Sequence, residues 1–184
     1  MATRTRIRRH PERAVPDERD AILAAGSVAH VGFVVDGQPY VLPMSYHVEG
    51  GRLYLHGAKA SRLLRHIGTG APVCVTVTLQ DGLVYSKSAK YHSMNYRSAV
   101  CFGRGRTIDD AAEKAQLFER MTDRYFPGRT VGRDYAAASR GELRGTALLE
   151  VELEDGSAKA RRGGPMGPLD ADDAAPGTCG VSPL

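Results

Sequence analysis

Apolar and polar residues alternate in two-residue steps along most of the chain, which is the period of a β-strand with one buried face. The pattern predicts strands over residues 28–35, 38–48, 52–57, 73–79, 83–88, 97–106 and 146–154. Tight turns between them are predicted at Asp36-Gly37, Glu49-Gly50-Gly51 and Asp81-Gly82. Pro43 has no backbone N–H, so its strand is expected to have an edge or a bulge there.

Three other segments have apolar residues at helical spacing. The first is predicted between Asp17, as its N-cap, and Gly26, as its end. The second covers Lys59–Ile67 and ends before a glycine. The third opens with the capping-box pair Asp110 and Glu113 and continues to about residue 126.

These elements predict a mainly β protein with inserted helices, in which the strands close into an antiparallel barrel. A chain of 184 residues has the length of a single domain with a sizeable core. Residues 1–14 are expected to form a basic flexible arm and residues 15–155 the folded domain. Residues 156–184 are rich in Gly, Pro, Ala and Asp and are expected to form a flexible tail.

The net charge of +4 originates in the arm, because residues 1–13 hold five arginines and one glutamate. Such an arm binds nucleic acid or anionic lipid without reading sequence, or is simply solvated. The nearly neutral remainder argues against a dedicated nucleic-acid protein. No apolar run has the length of a membrane-spanning helix, and none follows the arm as in a secretory signal. We therefore expect a cytoplasmic protein without a membrane partner.

Cysteine and metal chemistry are not expected. Cys74, Cys101 and Cys179 are odd in number and widely spaced, and the first two lie in apolar, strand-like surroundings. The histidines lack the short spacing of a zinc motif, and no dinucleotide-binding glycine motif, P-loop or nucleophile elbow occurs.

The first block with chemical potential lies where the third strand meets the second helix. Ser61 and Arg62, with Lys59 just before them, begin a helix, where unpaired N–H groups favour an anion. The pattern is typical of a phosphate site. The alternative is a solvated helix face that carries basic residues.

Two further blocks extend this hypothesis. Arg97-Ser98 repeats the Ser/Arg chemistry, so two such pairs that converge would hold a dianionic phosphate, while an ordinary polar loop is the alternative. On the strand around Pro43, Met44 and Tyr46 are suited to lie along a flat aromatic ring, unless they are simply core residues.

Together these blocks resemble the pyridoxamine 5′-phosphate oxidase-like, FMN-binding split-barrel family, and within it the nitroimidazole-resistance and flavin-nucleotide-binding branch. The resemblance covers roughly residues 15–155. It is carried by residues 42–46, 53–58, 61–64, 73–75, 92–98 and 102–103.

The resemblance implies an antiparallel split β-barrel and a homodimer that holds two FMN molecules at its subunit interface. It also implies a catalytic role for His56, which we interpret as a proton donor to the substrate, with a structural turn histidine as the alternative. The implied cofactor-binding residues are Pro43, Met44, Ser45, Tyr46, Lys59, Ser61, Arg62, Arg97 and Ser98.

The function implied is that of an FMN-dependent oxidoreductase acting on a small molecule, with nitro-group reduction as one candidate reaction. A reduced donor such as a nicotinamide nucleotide would be its second substrate. The alternative is a carrier that binds flavin or haem without turnover, with His56 or His92 as the axial haem ligand.

Two departures from the family pattern matter. The common Gly-Arg-Lys at the helix start is Ser61-Arg62-Leu63 here, so that one phosphate-binding lysine is missing or replaced by Lys59. The aromatic, arginine-rich C-terminal segment of true pyridoxamine-phosphate oxidases has no counterpart, so the vitamin B6 reaction is not expected.

Overall fold

A computed structural model describes residues 3–184, which form eight β-strands and four α-helices in that range. The strands are β1 (Val28–Val35), β2 (Gln38–Ser45), β3 (His47–Glu49), β4 (Arg52–Ala58), β5 (Pro72–Tyr85), β6 (Ser93–Ile108), β7 (Thr146–Arg161) and β8 (Gly180–Pro183). The helices are α1 (Arg19–Ala25), α2 (Arg62–Gly68), α3 (Ala111–Tyr125) and α4 (Arg140–Gly145).

The strands form one mainly antiparallel sheet in the order β2-β1-β5-β6-β7-β4-β3, and β8 pairs with β5. The β1–β2 hairpin has the predicted turn, since Asp36 and Gly37 both have positive φ, at 51° and 78°. β2 stands at the end of the strand order, and Pro43 lies in it opposite His30. The predicted edge position of Pro43 is therefore confirmed.

The chain divides into two compact units. The first unit comprises residues up to 26, 77–99 and 157–184, and the second comprises residues 27–76 and 100–156. In the first unit, α1 is anchored by Ile22 and Leu23, which are both buried. In the second unit, α3 packs on β4, β6 and β7 through a cluster of Tyr54, Ile108, Leu117, Met121, Leu148 and the half-buried Phe118.

The predicted turn at Asp81-Gly82 is wrong, because β5 continues through it to Tyr85. Gly82 pairs with Pro183 in β8 and does not have a positive φ. The Asp81 carboxylate accepts hydrogen bonds from Arg97 instead of closing a turn. Pairing between distant segments has overridden a local turn signal.

The predicted strand 38–48 is interrupted at Tyr46, which separates β2 from β3. The Tyr125 hydroxyl at the end of α3 accepts a hydrogen bond from the Tyr46 N–H at 2.9 Å. The same hydroxyl lies 2.8 Å from the Ser27 carbonyl and 2.9 Å from the Tyr46 carbonyl, to one of which it donates. One phenol therefore replaces ladder hydrogen bonds at the break.

Tyr125→Phe is expected to lower the free energy of unfolding by about 1–3 kcal/mol, because the Tyr46 N–H loses its acceptor. Urea denaturation of the variant and the wild type measures this difference. Tyr135→Phe is the control, since the Tyr135 hydroxyl has no hydrogen bond to residues 3–184. Equal stability losses in the two variants would show that the Tyr125 hydroxyl has no bridging role.

Both ends of the chain contain regular structure in the first unit. β7 continues past the predicted boundary at residue 155 to Arg161, and β8 follows within the expected tail. The Asp170 carboxylate accepts hydrogen bonds from the Ser86 hydroxyl and the Lys87 N–H, at 2.8 and 2.7 Å. In the arm, Ala14 forms a bridge with Lys159. Residues 1 and 2 of the expected arm lie outside the described residues.

Three smaller expectations have different outcomes. Residues 16–18 form a 3-10 turn, so that α1 begins at Arg19 and Asp17 is not its N-cap. The Asp110 side chain caps α3 as predicted, accepting from the Glu113 N–H at 2.8 Å. The alternation of apolar residues with glutamates over residues 146–154 predicts a solvent-facing Glu150, but Glu150 is buried and paired with Arg52 and Arg106. None of the described helices has the length and apolarity needed to cross a membrane.

Candidate functional site

An arginine lies over an aromatic stack at the start of α2. The guanidinium carbon of Arg62 is 4.8 Å from the ring centroid of Tyr40, which itself stacks on Phe33 at 5.3 Å. Tyr40 and Phe33 are directly opposed across the β1–β2 hairpin, so that the strand register sets the stack. The cation–π contact restrains the guanidinium.

The Arg62 side chain is exposed, and its guanidinium has no hydrogen bond or ion pair with any residue from 3 to 184. Its N–H donors are therefore held in position on an aromatic ring while they remain available to a ligand. A planar guanidinium in this state is suited to bidentate contact with a phosphate or carboxylate.

Ser61 is the N-cap of α2, and its hydroxyl oxygen accepts from the Leu64 N–H at 3.5 Å. α2 has only seven residues, so its macrodipole contributes little and an anion would depend on side chains. The Ser61 hydroxyl proton remains available for donation. Lys59 is exposed and lines cavities that also contain Lys114 of α3.

Arg97 is in a different electrostatic state from Arg62. In the first unit, its Nε and Nη2 both donate to the Asp81 carboxylate, with Nη2 to Oδ1 at 2.6 Å. These hydrogen bonds lower the pKa of Asp81 and raise that of Arg97. Ser98, also in the first unit, donates to the Lys159 carbonyl at 3.4 Å. The two Ser/Arg pairs belong to different units, and of their two arginines only Arg62 has a guanidinium without a hydrogen-bond partner among residues 3–184.

Of the four consecutive cofactor-binding residues predicted from Pro43 to Tyr46, three keep accessible surface. Pro43 and Ser45 are exposed and Met44 is half-buried. Tyr46 is fully buried, and this burial raises the pKa of its hydroxyl to about 12. Its side chain therefore belongs to the core, which is the alternative that its sequence pattern left open.

His56 is half-buried on β4, opposite Leu148 of β7. Its ring forms a T-shaped pair with Phe118 of α3, with centroids 5.5 Å apart and planes at 85°. The Nδ1 atom is buried without a hydrogen-bond partner among residues 3–184. An unpartnered buried ring nitrogen is available to a ligand, a proton or a metal ion.

His56 and α2 lie on opposite faces of β4. Side chains alternate along a strand, so His56 shares the α3 face with Tyr54. The next residue, Gly57, faces α2, because a Cβ at that position would lie 3.1 Å from Leu64. Within one chain, β4 therefore separates the imidazole from the start of α2.

The free energy of unfolding should fall as the pH is lowered from about 7 to about 5. Burial lowers the pKa of His56 below its ordinary 6.5, and it does the same for His47. Below pH 6.5 the unfolded chain therefore binds protons that the folded chain does not, which favours unfolding. Urea denaturation at several pH values measures the slope. His56→Leu should reduce this slope. A slope identical to that of the wild type would contradict the claim that burial lowers the pKa of His56.

His92, the other candidate haem ligand, lies in the first unit. It is exposed, and its Nδ1 is 3.1 Å from the Ala89 carbonyl oxygen. If Nδ1 carries the proton in this contact, Nε2 is free to bind a metal ion.

The sequence interpretation did not identify the basic residues around α3 and α4. Lys114 lies in the buried stripe of α3 together with Leu117 and Met121, and Arg140 and Arg144 lie on α4, which was not predicted. A lysine within an otherwise apolar helical stripe is the sequence signal that could have indicated this group of basic residues.

Comparison with known proteins identifies the family. A sequence model described as pyridoxamine 5′-phosphate oxidase matches residues 16–160, and the chain belongs to this family. A search of curated protein sequences found no match. The predicted fold class, a mainly antiparallel split barrel, is confirmed.

Three solved structures are similar to the chain. Flavocytochrome Anf3 from Azotobacter vinelandii is 34% identical, with a TM-score of 0.88 over 100% of this chain and 85% of that one. An FAD and heme binding protein from Mycobacterium smegmatis is 35% identical, with a TM-score of 0.84 over 94% of this chain and 84% of that one. A protein from Bacteroides thetaiotaomicron named for 5-nitroimidazole antibiotic resistance is 25% identical, with a TM-score of 0.64 over 80% of this chain and 86% of that one.

Proposed function

We propose that the protein binds a flavin nucleotide and acts as an oxidoreductase on a small molecule. The observation that carries the proposal is the likeness, along nearly the whole chain, to a flavocytochrome and to an FAD and heme binding protein. A bound flavin supplies reversible hydride and electron transfer.

Residues of the second unit have side chains suited to hold the phosphate and the ring of a flavin nucleotide. Arg62 and the Ser61 hydroxyl offer donors to the phosphate, and Lys59 adds a positive charge nearby in sequence. The accessible edge strand β2 offers Pro43, Met44 and its unpaired backbone groups to a flat ring.

The sequence predicts FMN, and the Mycobacterium smegmatis relative makes FAD the second candidate. The two nucleotides share the flavin ring, and only FAD carries an adenylate. Release of the bound nucleotide by heating the protein, followed by chromatography, therefore identifies which one is bound. Absence of any flavin, after incubation with an excess of both nucleotides, would refute the proposal.

Haem is a second cofactor to test, because the two relatives described above at 34% and 35% identity have a cytochrome or haem name. His56 is the first candidate ligand, since its buried Nδ1 has no partner among residues 3–184, and His92 is the second. Reconstitution with hemin should give a Soret band that His56→Ala or His92→Ala removes. A band retained in both variants would exclude these ligands.

Turnover distinguishes an enzyme from a carrier. Under anaerobic conditions, a nicotinamide nucleotide should bleach the flavin absorbance, and a nitroaromatic compound should restore it. His56→Gln should slow the second step if the imidazole supplies the substrate's proton. Flavin that no donor bleaches would favour the carrier. A homodimer, which the family resemblance implies, and a cytoplasmic location, which the sequence pattern leads us to expect, are part of the same proposal. Light scattering tests the first and cell fractionation the second.

A further inference from the structure

A second group of basic residues surrounds a cavity of about 270 Å³ next to α3 and α4, within the second unit. Its charged lining consists of Lys59, Lys114, Arg140 and Arg144 against the single acid Asp109. A neighbouring cavity of about 360 Å³ shares Lys59, Asp109 and Lys114. The charged side chains around the first cavity therefore sum to +3.

Lys114 is a buried cation without a carboxylate partner in the described part of the chain. It is 5% exposed, and its Nζ donates to the carbonyl oxygens of Leu143 and Thr146, at 3.3 and 3.2 Å. An ammonium group has three N–H donors, so one remains without an acceptor among residues 3–184. A buried charge compensated only by carbonyl dipoles is costly, and an anion in the cavity would complete its coordination.

Arg140 and Arg144 add two exposed guanidinium groups from one face of α4, since they are four residues apart. Neither forms a hydrogen bond or an ion pair with residues 3–184. The nearby acid Glu142 is occupied by the helix cap, where its carboxylate accepts from the Ser139 N–H at 2.7 Å. The repulsion between the two arginines is thus left uncompensated in this region.

We propose that this cavity binds the phosphate groups of a phosphorylated ligand, with a diphosphate as the best fit. A guanidinium group can donate two parallel hydrogen bonds to the oxygens of one phosphate, and the ammonium group adds a point charge. At about 30 Å³ per water, the cavity holds about nine waters, which is comparable to the nine heavy atoms of a diphosphate.

The test is calorimetric titration of the purified protein with sodium pyrophosphate. Arg140→Gln together with Arg144→Gln should weaken binding by about tenfold or more, and added salt should weaken it further in the wild type. The matched control, Arg8→Gln with Arg9→Gln, removes two exposed arginines from the arm and should leave the affinity unchanged. Circular dichroism checks that each variant is folded.

The proposal is overturned if pyrophosphate does not bind the wild type, or if it binds the two double variants equally. Lys114→Met is less suitable as a test, because it also removes the donor to the carbonyl groups of Leu143 and Thr146. The titration requires no flavin, so its failure is distinct from a failure of the proposed function.

The diphosphate has two possible sources, a nucleotide cofactor or the nucleotide that serves as electron donor. If the Arg140/Arg144 variant loses affinity for FAD but not for FMN, the cavity holds the diphosphate of the cofactor. If the variant loses affinity only for a nicotinamide nucleotide, the cavity holds the diphosphate of the electron donor. Unchanged affinity for all three, together with unchanged pyrophosphate binding, contradicts the site.

Discussion

Arg62→Ala is expected to yield folded protein that purifies without flavin. The guanidinium stacks on Tyr40 with its donors unpaired among residues 3–184, so its removal takes away charge-assisted hydrogen bonds to a phosphate without breaking an internal ion pair. The loss of flavin affinity should be about tenfold or more. Fluorescence titration of the cofactor-free variant with FMN and with FAD measures it.

Three further arginine substitutions provide graded controls for this variant. Arg62→Lys keeps the charge but loses the planar group that stacks on Tyr40, so it should recover only part of the affinity. Arg104→Ala removes an exposed arginine that pairs with Glu154 and should retain full flavin content. Arg97→Ala should have a smaller effect than Arg62→Ala, because Asp81 already occupies the Arg97 guanidinium. Stoichiometric flavin in the Arg62→Ala variant would remove Arg62 from the cofactor site.

Gly103→Ala is expected to be the most destabilising conservative substitution proposed for this chain, at about 3 kcal/mol, the upper part of the usual overpacking range. A Cβ at Gly103 would collide with the carbonyl oxygen of Glu152 and would lie 3.2 Å from Val151. Backbone atoms cannot move aside as a flexible side chain can, so β6 and β7 would have to separate locally. Chemical denaturation measures the loss.

Gly145→Ala is the matched control for Gly103→Ala. A Cβ at Gly145 meets no atom within 4 Å, and Gly145 does not have a positive φ. This substitution should be neutral or slightly stabilising, by about 0.4–1 kcal/mol, because alanine restricts the unfolded chain. Similar stability of the two variants would contradict the close approach of β6 to β7.

Local patterns predicted much of the fold because they reflect local physics. The residues of β1 were predicted with their observed ends, and its turn has the backbone conformation that Asp36-Gly37 favours. The cap at Asp110 and the anchoring of α1 by Ile22 and Leu23 follow from equally short-range rules. By contrast, β8 pairs with β5 from nearly 100 residues away, and no local signal at Asp81-Gly82 indicates this pairing.

The candidate site was predicted less completely, because spacing does not reveal which partner a charged side chain has. Arg62 and Arg97 each stand beside a serine in the sequence, yet one stacks on an aromatic ring and the other is neutralised by Asp81. The environment of His56 also depends on α3, more than 50 residues further along the chain. Flavin binding was predicted only from the family resemblance.

The absorption spectrum of freshly purified protein tests the central claim most directly. A two-band flavin profile is predicted, and an additional Soret band would show that haem is also bound. A protein that stays colourless after incubation with FMN and FAD, or that shows a Soret band alone, would contradict the assignment of a flavin nucleotide to this chain.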